Sequence, residues 1–226
     1  MEMLKKIVYN ANIKISKINL SPFVWGNISL IDRKKNVIAI KPSGIDVTCI
    51  ESRDIPIVNI DGDIISGELK PSIDTAIHCI LYKNFLNANS IVHTHSTWAT
   101  IWSQIGSAIP ILGTTHCDYF KTSIPCTRQL RKEEVSSKYE ENIANTILEK
   151  FKNISYENTP AVLVHSHGPF TWGKDADAAV NSASILEYIA HLAWHTYFFR
   201  QNSIPDYLVD KHFYRKHGAE KYYGQA

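Results

Sequence analysis

Apolar residues recur along this chain with two distinct periods. Leu4, Ile7, Val8 and Ala11 keep the three-to-four spacing of one helix face, which predicts an amphipathic helix at the start. Val24-Trp25-Gly26-Asn27-Ile28-Ser29-Leu30 alternates like a strand, and Val37-Ile38-Ala39-Ile40 reads as a second. Residues 56–60 and 64–65 flank Asp61-Gly62-Asp63 and read as a hairpin. Asp74 is placed to cap a helix carrying Ile77, Ile80 and Leu81. Ser90-Ile91-Val92-His93 reads as a short buried strand, after which Ser96 opens a helix through Trp102. Val135, Tyr139, Ile143, Ile147 and Phe151 repeat every four residues and predict one long helix. Residues 161–165 read as a strand and 169–173 as a further short one. Asp175 or Asp177 then opens a long helix to about Arg200, with Ala179, Ala183, Leu186 and Ile189 on its buried face. The tail from Lys211 to Ala226 is polar and aromatic. Strand hairpins mixed with flanking helices predict an α/β protein, a three-layer α/β/α sandwich around a largely antiparallel sheet.

Composition narrows the classes. A chain of 226 residues without repeats, low-complexity tracts or a Gly/Pro/Ser-rich linker predicts one domain over 1–226. A net charge of +2, with no dominant basic run, gives no case for nucleic acid. No apolar segment approaches the ~20 residues of a membrane span. Met1-Glu2-Met3-Leu4-Lys5-Lys6 lacks the apolar run of a secretory signal. The four Cys form no C-x-x-C and read as reduced thiols. The expected location is the cytoplasm.

The candidate chemistry lies in two His-x-His pairs, His93-Thr94-His95 and His165-Ser166-His167, each following an apolar run. Side chains at i and i+2 of a strand share a face, so each pair can aim two imidazoles at one point. Neutral imidazole is the commonest protein ligand for zinc and similar metals. Two pairs from distant strands therefore predict one metal site, with His165 and His167 both open as ligands. Asp74 is either a helix cap or a carboxylate ligand to the same ion. Lys41-Pro42-Ser43-Gly44 brings together a hydroxyl, a Lys and a backbone N–H beside a Gly, which suits a phosphate. Lys70-Pro71-Ser72 repeats that chemistry just before a helix N-terminus. Gly26-Asn27 can add donors. Asp118, in a polar loop over 113–119, is a candidate general acid/base. His191 and His195, one helical turn apart, read as packing residues. Tyr222-Tyr223-Gly224 is expected to dock on another surface, such as a neighbouring subunit.

These motifs, in order along nearly the whole chain, resemble the L-ribulose-5-phosphate 4-epimerase family. That family lies within the superfamily that also holds zinc-dependent fuculose-phosphate aldolase. The carrying residues are Trp25-Gly26-Asn27, Lys41-Pro42-Ser43-Gly44, Pro71-Ser72-Ile73-Asp74-Thr75, His93-Thr94-His95-Ser96, Gly113-Thr114-Thr115-His116-Cys117-Asp118-Tyr119, His165-Ser166-His167-Gly168-Pro169, Trp172-Gly173-Lys174, and His212 with Tyr222-Tyr223-Gly224-Gln225. The resemblance implies zinc (or another divalent ion such as Mn2+) on Asp74, His93, His95 and His167. It implies a substrate phosphate held by Gly26, Asn27, Lys41, Ser43, Gly44, Ser72 and Ile73, where Ile73 replaces the family's usual second Ser. It implies acid/base roles for Asp118 and Tyr223, with Thr114 and His212 in support. It further implies a homotetramer, with the tail from about 205 to 226 reaching a neighbouring subunit's site. The reaction implied is the interconversion of L-ribulose 5-phosphate and D-xylulose 5-phosphate by cleavage and re-formation of C3–C4, as in arabinose and other pentose catabolism. An aldolase on a related sugar phosphate is the alternative. In the superfamily's aldolase a Glu stands at the position of Asp74, so Asp favours the epimerase. A non-enzymatic relative such as the adducin head domain is expected to lack the ligands.

Overall fold

The computed structural model describes residues 1–199, 202–219 and 221–223. Its centre is a seven-stranded sheet. β1 (Asn27–Asp32), β2 (Val37–Ile40), β3 (Ile57–Asn59), β4 (Ile64–Ser66), β5 (Ser90–His93), β6 (Ala161–Leu163) and β7 (Pro169–Gly173) lie in the order β4-β3-β2-β1-β5-β7-β6. Every neighbouring pair is antiparallel.

The helices are α1 (Glu2–Lys17), α2 (Thr75–Asn84), α3 (Thr97–Ile105), α4 (Thr114–Cys117), α5 (Lys132–Ser136), α6 (Tyr139–Lys150), α7 (Ala176–Tyr197) and α8 (Asp206–Tyr214). Strand alternation sorts them into two outer layers. On one face Ile31, Ile38, Val58, Ile91, Val162 and Phe170 pack against Ile77, Leu81 and Tyr82 of α2 and Ile143 and Ile147 of α6. On the other, Ile28 and Val92 meet Ala11 and Ile15 of α1 and Ala179, Val180 and Ala183 of α7. Leu186, Ile189 and Ala190 of α7 continue onto Ala99 and Trp102 of α3 and Ala161 and Leu163 of β6. The result is a three-layer α/β/α sandwich.

Several boundaries differ from the sequence reading, each for a local reason. The predicted long helix breaks at Ser137 and Lys138, where Lys138 turns left-handed at φ 53°. Val135 is consequently exposed on α5, whereas Ile143 is buried on α6. The Gly113–Tyr119 loop contains the single turn α4. The tail contains α8, whose Val209 joins Ile204, Ile111 and Cys117 in a small satellite core. Strand 161–165 stops at Leu163. Arg200, Gly224, Gln225 and Ala226, which the sequence reading included in a helix end and a tail motif, lie outside the described residues. Among the described residues no helix is long and apolar enough to cross a membrane.

Two devices fix α2 against the sheet. At its C-terminal end the Arg33 guanidinium donates to the carbonyls of Tyr82 (3.2 Å), Phe85 (2.9 Å) and Ala88 (2.7 Å), satisfying acceptors that a helix end leaves open. At its N-terminal end the Ser72 carbonyl accepts from Thr75 N–H (3.0 Å) and from the Thr75 hydroxyl (2.6 Å). Asp74 occupies the N-cap position, but its side chain makes no capping bond and is left for other use.

The helix break predicts unequal costs for two substitutions on the predicted face. Ile143→Ala should lower unfolding free energy by about 2–5 kcal/mol, as for other buried Ile truncations. Val135→Ala should change it by less than about 0.5 kcal/mol. Chemical denaturation of both variants measures this; equal costs would mean that the helix is continuous.

Candidate metal centre and anion cradle

The end of β5 delivers the first ligand. In β5, Ile91 faces the α2/α6 layer and Val92 the α1/α7 layer, so His93 returns to the α2 side. There it pairs in register with Phe170 of β7, and the two rings stack at 4.2 Å. His93 Nδ1 lies 3.0 Å from the Pro169 carbonyl and donates to it, which leaves the Nε2 lone pair free. That nitrogen is 3.1 Å from His95 Nε2. Ligand atoms of His93, His95 and His167 all lie within 4.8 Å of one another.

The second His-x-His pair splits. His165-Ser166-His167 is not strand but the turn between β6 and β7, with Ser166 left-handed at φ 61°. The i, i+2 argument therefore fails there. His165 turns away toward Gly106, where a Cβ would lie 2.3 Å from its Nε2. Ser166 N–H donates to the Ser103 carbonyl at 2.8 Å and His165 N–H to the Thr127 hydroxyl at 3.0 Å, pinning the turn. Gly168 lets that turn pass Thr94, since a Cβ would meet the Thr94 carbonyl at 2.7 Å.

The three imidazoles are suited to a cation. Burial is the main cause holding all three below the usual His pKa, His167 down to about 4, so they are neutral with lone pairs available near pH 7. His167 Nδ1 is buried without a hydrogen-bond partner. Three neutral nitrogens with room for one or more oxygen ligands fit zinc. Asp74 lines the same cavity but is not part of the tight cluster; its Oδ2 accepts from Asn27 Nδ2 at 2.7 Å. Burial opposes its ionisation, yet His93, His78, Asn27 and His167 together outweigh that, and its pKa lies below the ordinary carboxyl value.

The anion cradle adjoins the imidazoles. Ser43 N–H donates to the Lys70 carbonyl and Ser72 N–H to the Lys41 carbonyl, both at 3.0 Å. The two Lys-Pro-Ser turns are thereby joined side by side. Gly26 (φ 80°) brings the β1 entry against β5, where a Cβ would lie 2.9 Å from the His93 carbonyl. A cavity of about 350 Å³ results, lined by Gly26, Asn27, Lys41, Ser43, Gly44, Ser72, Ile73, Asp74, His93, His95 and His167. Lys41 Nζ donates to the Val24 carbonyl at 3.0 Å, and burial lowers its pKa against the pull of Asp46 and Asp74. Ile73, which lines the cavity, is exposed and offers no hydroxyl.

Val24, Trp25, Tyr139 and Glu140 also line the cavity and were not read as site residues. Tyr139 belongs to the four-residue repeat that predicts one long helix over Val135 to Phe151. In the structure it opens α6 directly after the break at Lys138 and lines the cavity, a placement for which the continuous apolar spacing carries no signal.

Asp118, Thr114, His212 and Tyr223 do not line this cavity. They form a second constellation. Asp118 at the end of α4 accepts from Arg215 (2.9 and 3.0 Å) and from His212 Nδ1 (3.1 Å), with Lys216 at 3.5 Å. Burial raises its pKa, but His212, Arg215 and Lys216 outweigh that and keep it ionised. Tyr223 N–H donates to the Arg215 carbonyl at 3.0 Å, and its ring lies under Arg215 and Lys216. Thr114 opens α4, and its carbonyl accepts from Asp118 N–H at 3.1 Å. His191 stacks on Trp98 at 4.1 Å, in keeping with packing.

Residues 6–194 match the family described as Class II Aldolase and Adducin N-terminal domain. Proteins named L-ribulose-5-phosphate 4-epimerase UlaF, from Salmonella paratyphi B and Salmonella typhi, are each 46% identical over 227 aligned residues, covering 100% of both chains. Among solved structures, an L-fuculose 1-phosphate aldolase superposes with a TM-score of 0.79 at 24% identity, over 94% of this chain and 95% of that one. The L-fuculose 1-phosphate aldolase of Glaciozyma antarctica PI12 gives 0.75 at 19%, over 95% and 81%. At these identities the structures speak for the fold.

The split of the second His pair separates two variants. His167→Ala should weaken zinc binding by at least about 100-fold, while His165→Ala should stay within about threefold of the parent. Chelator competition with a zinc-sensitive dye reads both, and a larger loss in His165→Ala would reassign the ligand.

Proposed function

The chain belongs to the class II aldolase and adducin N-terminal domain family, and on that premise we propose that it is a metal-dependent L-ribulose-5-phosphate 4-epimerase. The carrying observation is a cavity lined at once by three converging imidazoles, a carboxylate and two joined phosphate-type turns. Full-length similarity to proteins named for this activity supports the substrate.

The stereocentre to be inverted is C4 of the ketose, β to the C2 ketone, so its hydrogen is not acidic. Deprotonating the C4 hydroxyl instead lets the C3–C4 electron pair move onto the ketone. This yields glycolaldehyde phosphate and the enediolate of the other three carbons. Rotation of the aldehyde, re-addition to its other face and protonation of the new C4 alkoxide complete the inversion. A divalent ion on His93, His95, His167 and Asp74, zinc in our reading, supplies Lewis acidity to the ketose oxygens. Lys41, Ser43 and Ser72, with backbone N–H groups of Gly44 and Ile73, hold the phosphate so that the aldehyde turns without leaving.

Two proton-handling groups are needed, one for each face of the aldehyde. Asp118 and Tyr223 meet that need. They share one patch joined through Arg215, with the carboxylate ionised as acceptor and the phenol as donor. Neither lines the cavity of its own chain. We therefore assign them to the cavity of an adjacent copy in a homo-oligomer, a tetramer in the family, with 1–226 acting as one domain and the tail reaching across.

Incubation with L-ribulose 5-phosphate should give D-xylulose 5-phosphate, identified by NMR. Net release of glycolaldehyde phosphate would make the protein an aldolase, and no turnover with zinc or manganese supplied would reject both. Asp118→Asn and Tyr223→Phe should retain zinc while slowing epimerisation by about 10²–10⁴-fold, the usual contribution of a positioned acid or base. Unchanged rates would remove either residue from the reaction.

A further inference from the structure

Behind the imidazoles lies a buried polar chain that neither the metal nor the phosphate reading uses. Tyr82 OH is 2.6 Å from Ser29 Oγ, and Ser29 Oγ is 2.6 Å from His78 Nδ1. Ser29, His78 and Tyr82 are all fully buried. A buried phenol must place its proton on an acceptor, and Ser29 Oγ is the acceptor at hand. Ser29 has one proton, which then goes to His78 Nδ1. This order fixes the His78 tautomer with its hydrogen on Nε2. His78 Nε2 has no hydrogen-bond partner.

The position of that unpaired donor is informative. His78 follows Asp74 by four residues, and its N–H donates to the Asp74 carbonyl at 3.1 Å. Side chains four apart on a helix share a face, and each leans toward the helix N-terminus. His78 therefore leans over the turn that carries Asp74. The Phe170 ring packs edge-on to His78 at 6.0 Å and stacks on His93 at 4.2 Å, closing the space around the imidazole. The Asn27 amide and the Ser72 hydroxyl both engage Asp74 Oδ2.

We propose that His78 is a positioning residue, whose Nε2–H, aimed by the Tyr82–Ser29 hydroxyl pair and unpaired in this structure, takes the Asp74 carboxylate as its acceptor when an ion is bound and holds it as the fourth ligand facing the three imidazoles. A donor on a ligating carboxylate orients it and tightens the site, and loss of such a partner typically weakens metal binding 10–100-fold. This role rests on the metal reading above.

Zinc affinity by chelator competition, with melting curves for folding, tests it on the full chain. His78→Leu should bind zinc at least about tenfold more weakly than the parent. His78→Gln carries an amide N–H close to where Nε2–H lies and should recover affinity to within about threefold. Equal affinities in all three proteins would overturn the proposal, as would equal losses in Leu and Gln. If the Leu variant does not fold, Tyr82→Phe decides, since it leaves His78 in place and removes the group that orders the chain. That variant should lose affinity severalfold, and parent-like binding would refute the role. Failure of the parent itself to bind zinc would instead strike the metal reading.

Discussion

The bond from His93 Nδ1–H to the Pro169 carbonyl is the contact on which the rest of the site depends. It selects the tautomer whose lone pair faces His95, and it ties the end of β5 to the start of β7. The carbonyl that accepts it belongs to the residue that pairs with Leu163 at the edge of the β6–β7 ladder. One hydrogen bond therefore couples ring orientation to strand register. A shift of one residue in that register would send His93 to the opposite face of the sheet. Stacking of His93 on Phe170 follows from the same register and excludes water from one side of the ring.

The rest of the cavity is built by bringing loops against this fixed point. The turns at 41–44 and 70–72 are weak features separately, because turns of this composition are common on protein surfaces. Two reciprocal backbone bonds make them one platform, and Arg33 at the far end of α2 holds the helix that leaves it. Donors for an anion and nitrogens for a cation thus sit on strand ends and on turns anchored to the sheet and to α2, which position groups more precisely than free loops do. The neutral imidazoles add no positive charge, so Lys41 and the helix terminus remain the phosphate's attraction.

Legibility in the sequence followed the range of the interactions. The strands at 37–40, 90–93 and 169–173 were readable because alternation and burial act within a few residues. So was α7, whose Asp175 side chain accepts from Ala178 N–H at 2.8 Å, a local cap. The break at Lys138 was not readable, since the apolar four-residue spacing continues straight across it. The His165-Ser166-His167 turn misled for the same reason: an apolar run precedes it, and only a left-handed Ser166 and a bond to distant Ser103 make it a turn. His78 carries no signal of its own among Ile77, Cys79, Ile80 and Leu81 of α2. Its significance needs Ser29, which is 49 positions away.

The family match ends at residue 194, inside α7, whereas the epimerase-named relatives align to the end of the chain. All the cavity residues lie before that limit, and α8, His212 and Tyr223 lie after it. In the proposed reaction, cleaving C3–C4 and holding the phosphate are demands an aldolase shares, and the residues assigned to both lie within 6–194. In the proposed reaction, inversion adds one demand, a proton donor on the second face of the aldehyde. Asp118 lies within 6–194, and it is held by Arg215, Lys216 and His212, all from the segment beyond that limit. The tail therefore sets both groups to which we assign proton handling: it carries the Tyr223 phenol, and its Arg215, Lys216 and His212 hold the Asp118 carboxylate ionised. The segment does this without lining, in its own chain, the cavity that holds the imidazoles and the phosphate-type turns.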